Sequence, residues 1–211
     1  MHLINGRPLS VRWVAEHVPA IVEAWLLGER GGDAVVDVLF GDVNPSGRLP
    51  ITVPRHVGQL PIYYNHPASR ASGRGYVDMP ATPLWEFGYG LSYTRFEYSD
   101  LRITPQQIQP DGQVHIRARV KNTGQRSGDE VAQLYLNDVL SSVSRPVQEL
   151  RGFRKVSLQP GEEKEIAFTL TSDDLSLLDQ NMDRVVEPGT FEVMIGASSK
   201  DIRLKGRLEV R

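Results

Sequence analysis

The chain has 211 residues, 40% hydrophobic and 24% charged, which is ordinary for a soluble globular protein and long enough for one large domain or two small ones. A formal charge of −2, a pI near 6.2 and no run of like charges argue against a nucleic-acid binder and against a polybasic membrane or heparin patch. Cysteine is absent, removing disulfides, thiolate metal sites and cysteine nucleophiles together, and no apolar run approaches the length of a membrane span.

The N-terminus "MHLINGRPLSVRW" has neither the apolar core nor the small-residue cleavage site of a signal peptide. From there to about residue 66 the pattern is α/β. "MHLIN" suits the end of a buried strand. In "PAIVEAWLLG", Pro19 fits a first helical turn, Ile21, Val22 and Trp25 recur at helical spacing, and Gly28 fits a helix C-terminus. "GGDAVVDVLFG" repeats that pattern, with Ala34, Val35, Val38 and Leu39 on one face and Gly41 ending it. A loop rich in Pro and Gly follows, with a short "LPITV" strand inside it. Barely two strand–helix units are present, so this half is a fragment of an α/β domain.

From about residue 96 the grammar is all-β. "VHIRARV" alternates with Val114, Ile116, Ala118 and Val120 on one face. "EKEIAFTL" does so with Ile166, Phe168 and Leu170, "TFEVMIGA" with Phe191, Val193, Ile195 and Ala197, and "DIRLKGRLEV" with Ile202, Leu204, Leu208 and Val210. In the separators "QPGEE" and "EPGT", Pro then Gly matches the central pair of a type II turn. "SDDLSLLD" reads as one capped helical turn. Short alternating strands with such turns predict an immunoglobulin-like β-sandwich.

Between the halves lies the aromatic, glycine-rich "PLWEFGYGLSYTRF". Gly88 and Gly90 allow a sharp turn or a close backbone approach, while Phe87, Tyr89 and Tyr93 supply amphipathic area. The favoured reading is an interdomain joint of Phe87, Gly88, Tyr89, Gly90 and Tyr93. The sharper reading is a cleft wall, with Tyr76 and Trp85 as candidates for its edge, because domain seams favour ligand clefts. Arg48 in "NPSGRLP" is expected in a structural loop rather than against a substrate. Arg145, Arg151 and Arg154 are expected to face solvent or an interdomain contact. Trp13 could stack on a sugar; Trp25 belongs to a core.

Other signatures fail. Asp78 and Tyr93 break the G-x-G-x-x-G spacing in "GRGYVD" and "FGYGLS", and no G-x-S-x-G elbow exists. His2, His17, His56, His66 and His115 form no i, i+4 pair, so no metal site and no cofactor are expected. Asn44 precedes Pro45, which disqualifies its glycosylation sequon.

The strings "LINGRPLSV", "AWLLGERGGDAVVDVLFGDVNPSGRLPITVPRHVGQLPIYYN", "PLWEFGYGLSYTRF" and "SRPVQELRGFRKVSLQPGE" occur in order over essentially the whole chain. Together they resemble the C-terminal part of glycoside hydrolase family three β-glucosidases, the bacterial periplasmic subgroup most of all. The resemblance implies a tail of an α/β sandwich domain over 1–66, a connector over 67–95, and a fibronectin type III-like domain over 96–211. It implies retaining hydrolysis of terminal β-glucosyl residues by the complete enzyme, with export to the periplasm or beyond. It also implies that the nucleophilic Asp lies in a missing N-terminal barrel, and the acid/base Glu in the missing first part of the α/β sandwich. No catalytic residue is therefore assigned here, and the chain alone is expected to be inactive.

Retaining hydrolysis needs two carboxyl groups about 5–5.5 Å apart; Glu86 and Asp78 are the only pair worth testing. Glu86 stands where many relatives carry proline, and Gly75 precedes Tyr76 where an arginine is expected. The expected partners are the missing barrel and sandwich, in the same polypeptide or as a separate chain, and the β-glucoside only in the complete enzyme. Without them, Ile21, Trp25, Val35 and Leu39 should expose an apolar face, a lost-partner or homodimer surface. The alternative is a stand-alone interaction or carbohydrate-binding module, which would show a row of exposed aromatics on one sandwich face.

Overall fold

The computed structural model describes residues 1–68 and 78–211. The first half contains β1 (His2–Ile4), α1 (Arg12–His17), β2 (Ile21–Glu23) and α2 (Gly31–Phe40). β1 and β2 pair in parallel, His2 opposite Ile21 and Ile4 opposite Glu23. The helix expected from Pro19 to Gly28 is thus corrected. Its apolar residues pair with β1, and the run ends at Trp25, whose φ of 53° is left-handed and breaks any helix. Periodicity over so short a window does not separate a helix from a buried strand; the paired edge of β1 decides it. α2 forms where expected, and Gly41 closes it with φ 84° in a left-handed C-terminal cap.

The second half is a β-sandwich. One sheet has the order β4 (Gln107–Ile108), β12 (Ile202–Val210), β11 (Gly189–Gly196), β6 (Gly128–Asp138), β7 (Glu149–Leu158). The other has the order β3 (Phe96–Thr104), β5 (Val114–Asn122), β8 (Glu163–Leu170). A single turn, α3 (Ser172–Leu175), and a small antiparallel pair, β9 (Leu177–Leu178) with β10 (Arg184–Val185), complete it. In α3 the Asp174 carboxylate accepts the Thr171 N–H at 2.8 Å.

β5 alternates buried and exposed without a break, placing Val114, Ile116, Ala118 and Val120 in the core. They meet Ile166 and Phe168 of their own sheet and Leu134, Val193, Ile195 and Leu208 of the other. Each of the valine, isoleucine, leucine and phenylalanine side chains among them contributes about 1.5–3 kcal/mol by leaving water. Gly161 adopts φ 79°, as the type II turn after Pro160 requires. The same reading of Pro188–Gly189 is not met: Gly189 opens β11 and pairs with Val210.

β6 departs from alternation. Ala132, Gln133, Leu134, Tyr135 and Leu136 are all buried in succession. One-sided sheets leave every second residue in water, so the outer face of this strand is covered. What covers it is the first half of the chain.

Candidate functional site

"LPITV" does not form a strand; it runs as an irregular ribbon against the aromatic connector. The Val53 N–H donates to the Trp85 carbonyl at 2.8 Å, Leu49 N–H to Tyr89 at 2.8 Å, and Gly88 N–H back to Leu49 at 2.8 Å. Pro50 and Pro54 lack the N–H groups that a regular ladder would need. Trp85 therefore sits half-buried opposite Val53 and away from the cleft described below. Tyr76 and Gly75 lie outside the described residues.

The connector is laid on β6 and on the turn between β11 and β12. The Phe87 ring stacks on Tyr64, centroids 4.2 Å apart, and Tyr64 meets Tyr135 edge-on at 5.9 Å. The Phe87 carbonyl accepts from Ser199 N–H at 3.0 Å, and the Tyr64 hydroxyl accepts from Leu150 N–H at 3.1 Å. Buried Gln133 is the clasp: its Nε2 donates to the carbonyls of Gly88 at 3.1 Å and Ala197 at 2.6 Å, and its Oε1 accepts from Tyr135 at 2.5 Å. Gly88, with φ 82°, leaves the space for it; a Cβ there would overlap Oε1 and lie 2.9 Å from Cδ of Gln133. At Gly90 a Cβ would overlap the Gly47 carbonyl and lie 2.9 Å from Nη1 of Arg48. Gly88 makes room for a buried side chain, and Gly90 for a second stretch of backbone.

Further polar contacts extend the joint. The Asn44 carbonyl accepts from Ser92 Oγ at 3.0 Å and Tyr93 N–H at 2.8 Å, while its Nδ2 donates to the Ser127 carbonyl at 3.0 Å. Tyr93 donates from its hydroxyl to the Val38 carbonyl at 2.7 Å, tying α2 to the connector. Arg48 and Glu130 form an ion pair at 2.7 Å with side chains 9% and 3% exposed. Tyr98 donates to the other Glu130 oxygen at 2.6 Å. Burial, then the Glu130 charge, pushes the Tyr98 hydroxyl far up, so it remains a donor. Arg48 thus bridges the two halves.

Beside this pair is a cleft of about 430 Å³ between the connector and the start of β3, with the turn from β11 to β12 on its other side. Glu86 lies in it, one carboxylate oxygen accepting from Ser198 Oγ at 2.8 Å. Asp201 is held by Arg203 at 2.5 and 2.6 Å. Exposed Asp78 is not among the lining residues, so Glu86 and Asp78 are not brought into one cleft. Tyr89 also lines it, its hydroxyl pKa raised by burial and then by Glu86.

Arg145 corrects the expectation of solvent exposure. Its side chain is buried, pairing Asp138 at 3.3 Å and Glu149 at 2.7 Å and donating to the Leu175 carbonyl at 3.3 Å, while the neighbouring Pro146 bridges to Pro67 of the first half. Arg151 joins Glu149 at 3.0 Å, and Arg154 lies over the Phe168 ring at 5.5 Å. Trp13 is exposed and stacks on His17 at 4.4 Å. On the sandwich, Phe153 is the exposed aromatic among the described residues, so no aromatic row forms. Among those residues no group of three or more His, Asp or Glu side chains could hold a metal ion, and no helix is long and apolar enough to cross a membrane. The joint residues missed in the sequence were Asn44, Tyr64, Glu130, Gln133 and Ser198. The one available signal was polar Gln133 inside the otherwise apolar run "VAQLYL".

Comparison with known proteins agrees with this architecture. Residues 1–93 match the glycosyl hydrolase family 3 C-terminal domain, and residues 130–199 match the fibronectin type III-like domain. A β-xylosidase of Formosa agariphila is 47% identical over 96% of this chain and 28% of its own length. The periplasmic β-glucosidase of Salmonella typhimurium is 44% identical over 95% of the chain and 28% of its own length. A β-glucosidase structure from Erythrobacter marinus superposes with a TM-score of 0.94 at 43% identity, over 100% of this chain and 28% of that one. The chain thus spans a little over a quarter of these relatives. With both of its halves matched in the order those relatives carry them, the chain belongs to glycoside hydrolase family three, as a C-terminal α/β segment joined to a fibronectin type III-like β-sandwich.

Proposed function

We propose that this chain is the bracing C-terminal portion of a retaining β-glucosidase of the periplasm or exterior. A preceding portion, in the same polypeptide or a separate chain, supplies the barrel, the remaining α/β sheet and both catalytic carboxylates. The observation that carries this reading is the joint itself: the aromatic connector and Gln133 clasp the α/β segment to the sandwich, which suits a brace for a neighbouring domain. The apolar exposure on the α/β segment supports it, Leu26 being 88% and Phe40 79% exposed, a pattern that marks an association surface. Leu39 is exposed as expected, whereas Ile21, Trp25 and Val35 are half-buried, so the face lies further along the β2–α2 turn and the end of α2. The relatives named β-xylosidase make a xylosyl residue the competing substrate.

The test is hydrolysis of chromogenic β-glucoside and β-xyloside by the purified chain, with a covalent retaining-glycosidase inactivator as control. No turnover of either substrate is the expected result. Turnover abolished both by the inactivator and by Glu86→Gln would overturn the reading and make the joint an active site.

A further inference from the structure

β1 runs into Asn5–Gly6, the one place in the chain where asparagine precedes glycine. A backbone amide nitrogen can attack the side-chain carbon of the asparagine before it, and glycine, with no Cβ, leaves that approach open. Here the new bond joins Gly6 N to Asn5 Cγ and closes a five-membered succinimide. The Gly6 amide proton passes to hydroxide, and the side-chain nitrogen takes a proton from water and leaves as ammonia. Water then opens the ring at either carbonyl, giving an aspartyl or an isoaspartyl linkage. No oxidant or reductant is needed.

The structure shows what restrains this reaction. Asn5 is exposed, and its side chain has no hydrogen-bond partner among the described residues. The Gly6 N–H, however, donates to the Trp25 carbonyl at 2.7 Å, and an amide held there does not reach Cγ. That bond belongs to a weak element. β1 and β2 pair over three residues each, with no third strand among the described residues, and an isolated strand pair is marginal in water. Trp25 holds the bond from a left-handed backbone, φ 53°, that L-residues adopt reluctantly. Elements of this kind open locally far more often than a core does.

The other asparagines lack the combination. Asn44 precedes Pro45, which has no N–H. Asn122 is buried, its side chain bonded to Thr94, Arg126 and Leu158. Asn137 lies in the β6–β11 ladder, and the amide after Asn181 donates to the Asp179 carbonyl. Asn65 is followed by His66, whose Cβ crowds the approach.

We propose that Asn5 is a site of spontaneous deamidation, and that the hydrogen bond from Gly6 to Trp25 is the gate that sets its rate. The isoaspartyl product loosens the gate, because it lengthens the main chain before Gly6 by a carbon and moves the N–H away from the Trp25 carbonyl. The inference is independent of the hydrolase reading, since it needs only water and the groups of this chain.

The experiment incubates the full chain at mildly alkaline pH, with and without denaturing urea, and maps deamidated peptides by mass spectrometry. Expected is deamidation concentrated at Asn5 in both, faster in urea by about ten-fold or more because every Gly6 amide is then free. Amide exchange of Gly6, followed by NMR in the folded chain, should show protection equal to that rate ratio within about three-fold, since the same opening exposes both. Ala24→Pro removes the N–H that donates to the Ile4 carbonyl at 2.9 Å. It should bring the folded-chain rate to within about three-fold of the urea rate and leave the urea rate unchanged. Should that variant lose the dispersed amide spectrum of the sandwich, the exchange comparison decides alone. Gly6→Ala should lose most of the modification in urea. An unmodified Asn5 in urea, equal rates in the folded chain and in urea, or a folded-chain rate led by another asparagine each overturns the proposal. So does a folded Ala24→Pro variant that reacts at the unaltered rate, or exchange protection that departs from the rate ratio.

Discussion

Gly88→Ala tests the joint most directly. The new Cβ overlaps Oε1 of Gln133, and the backbone at φ 82° is one that L-residues adopt reluctantly. The left-handed conformation costs about 1–2 kcal/mol. Displacing Gln133 costs more, since the carbonyls of Gly88 and Ala197 and the Tyr135 hydroxyl then lose a buried partner, at about 1–3 kcal/mol for each group left unpaired. With one or two groups orphaned, the loss comes to about 2–8 kcal/mol, a large share of the roughly 5–15 kcal/mol that holds a typical protein folded. In urea, followed by tryptophan fluorescence, the midpoint should fall by about 1–4 M at a slope near 2 kcal/mol/M. Gly161→Ala is the control: its φ is 79°, but a Cβ there meets nothing within 4 Å, so only the backbone term of about 1–2 kcal/mol remains. Equal midpoints for the two variants would refute the claim that the connector is clasped by Gln133.

Further outcomes follow from other contacts. Glu130→Gln leaves the Arg48 guanidinium buried without its counter-charge and should cost about 3–5 kcal/mol in urea unfolding. The Arg48→Met, Glu130→Leu double variant should lose much less than the two single losses combined, as a double-mutant cycle reports. Asp129 has its pKa held below 3.8, first by its bond from Lys155 and then by Ser157. Between the lowered folded value and the ordinary one, the unfolded state binds more protons, so this stabilisation is present above the ordinary value and fades as pH falls through the folded one. Lys155→Met should bring the Asp129 titration, read by carboxyl NMR, back up toward 3.8. Phe40→Asp should lower the fluorescence of an apolar-surface dye bound to the chain while moving the urea midpoint little, because that side chain is in water already; unchanged dye binding would remove the α2 end from the association surface.

The sandwich was legible in the sequence because its information is local. Strict alternation in Val114–Val120 and Ile166–Leu170 orients each side chain from the pleat alone, and Pro160–Gly161 specifies its turn through φ. α2 was legible for the same reason, its length and Gly41 being local signals. The misread stretch, Ile21 to Trp25, is one where local pattern is degenerate: three apolar-periodic residues fit either period, and only pairing with β1 some twenty residues earlier selects the strand. The connector was recognisable as a place of close approach from Gly88 and Gly90, but nothing in its own residues names what it approaches. That partner is Gln133, brought to it by β6, and the exposed-looking position of Gln133 in alternation is buried only because the connector lies on top. Likewise Arg48 reads as a loop arginine until Glu130 and Tyr98, far along the chain, take it out of water. Composition, periodicity and turn chemistry thus determined the two halves and their order. The tertiary structure alone decided how they meet, because long-range polar contacts depend on which surfaces come together rather than on the spacing of residues within either one.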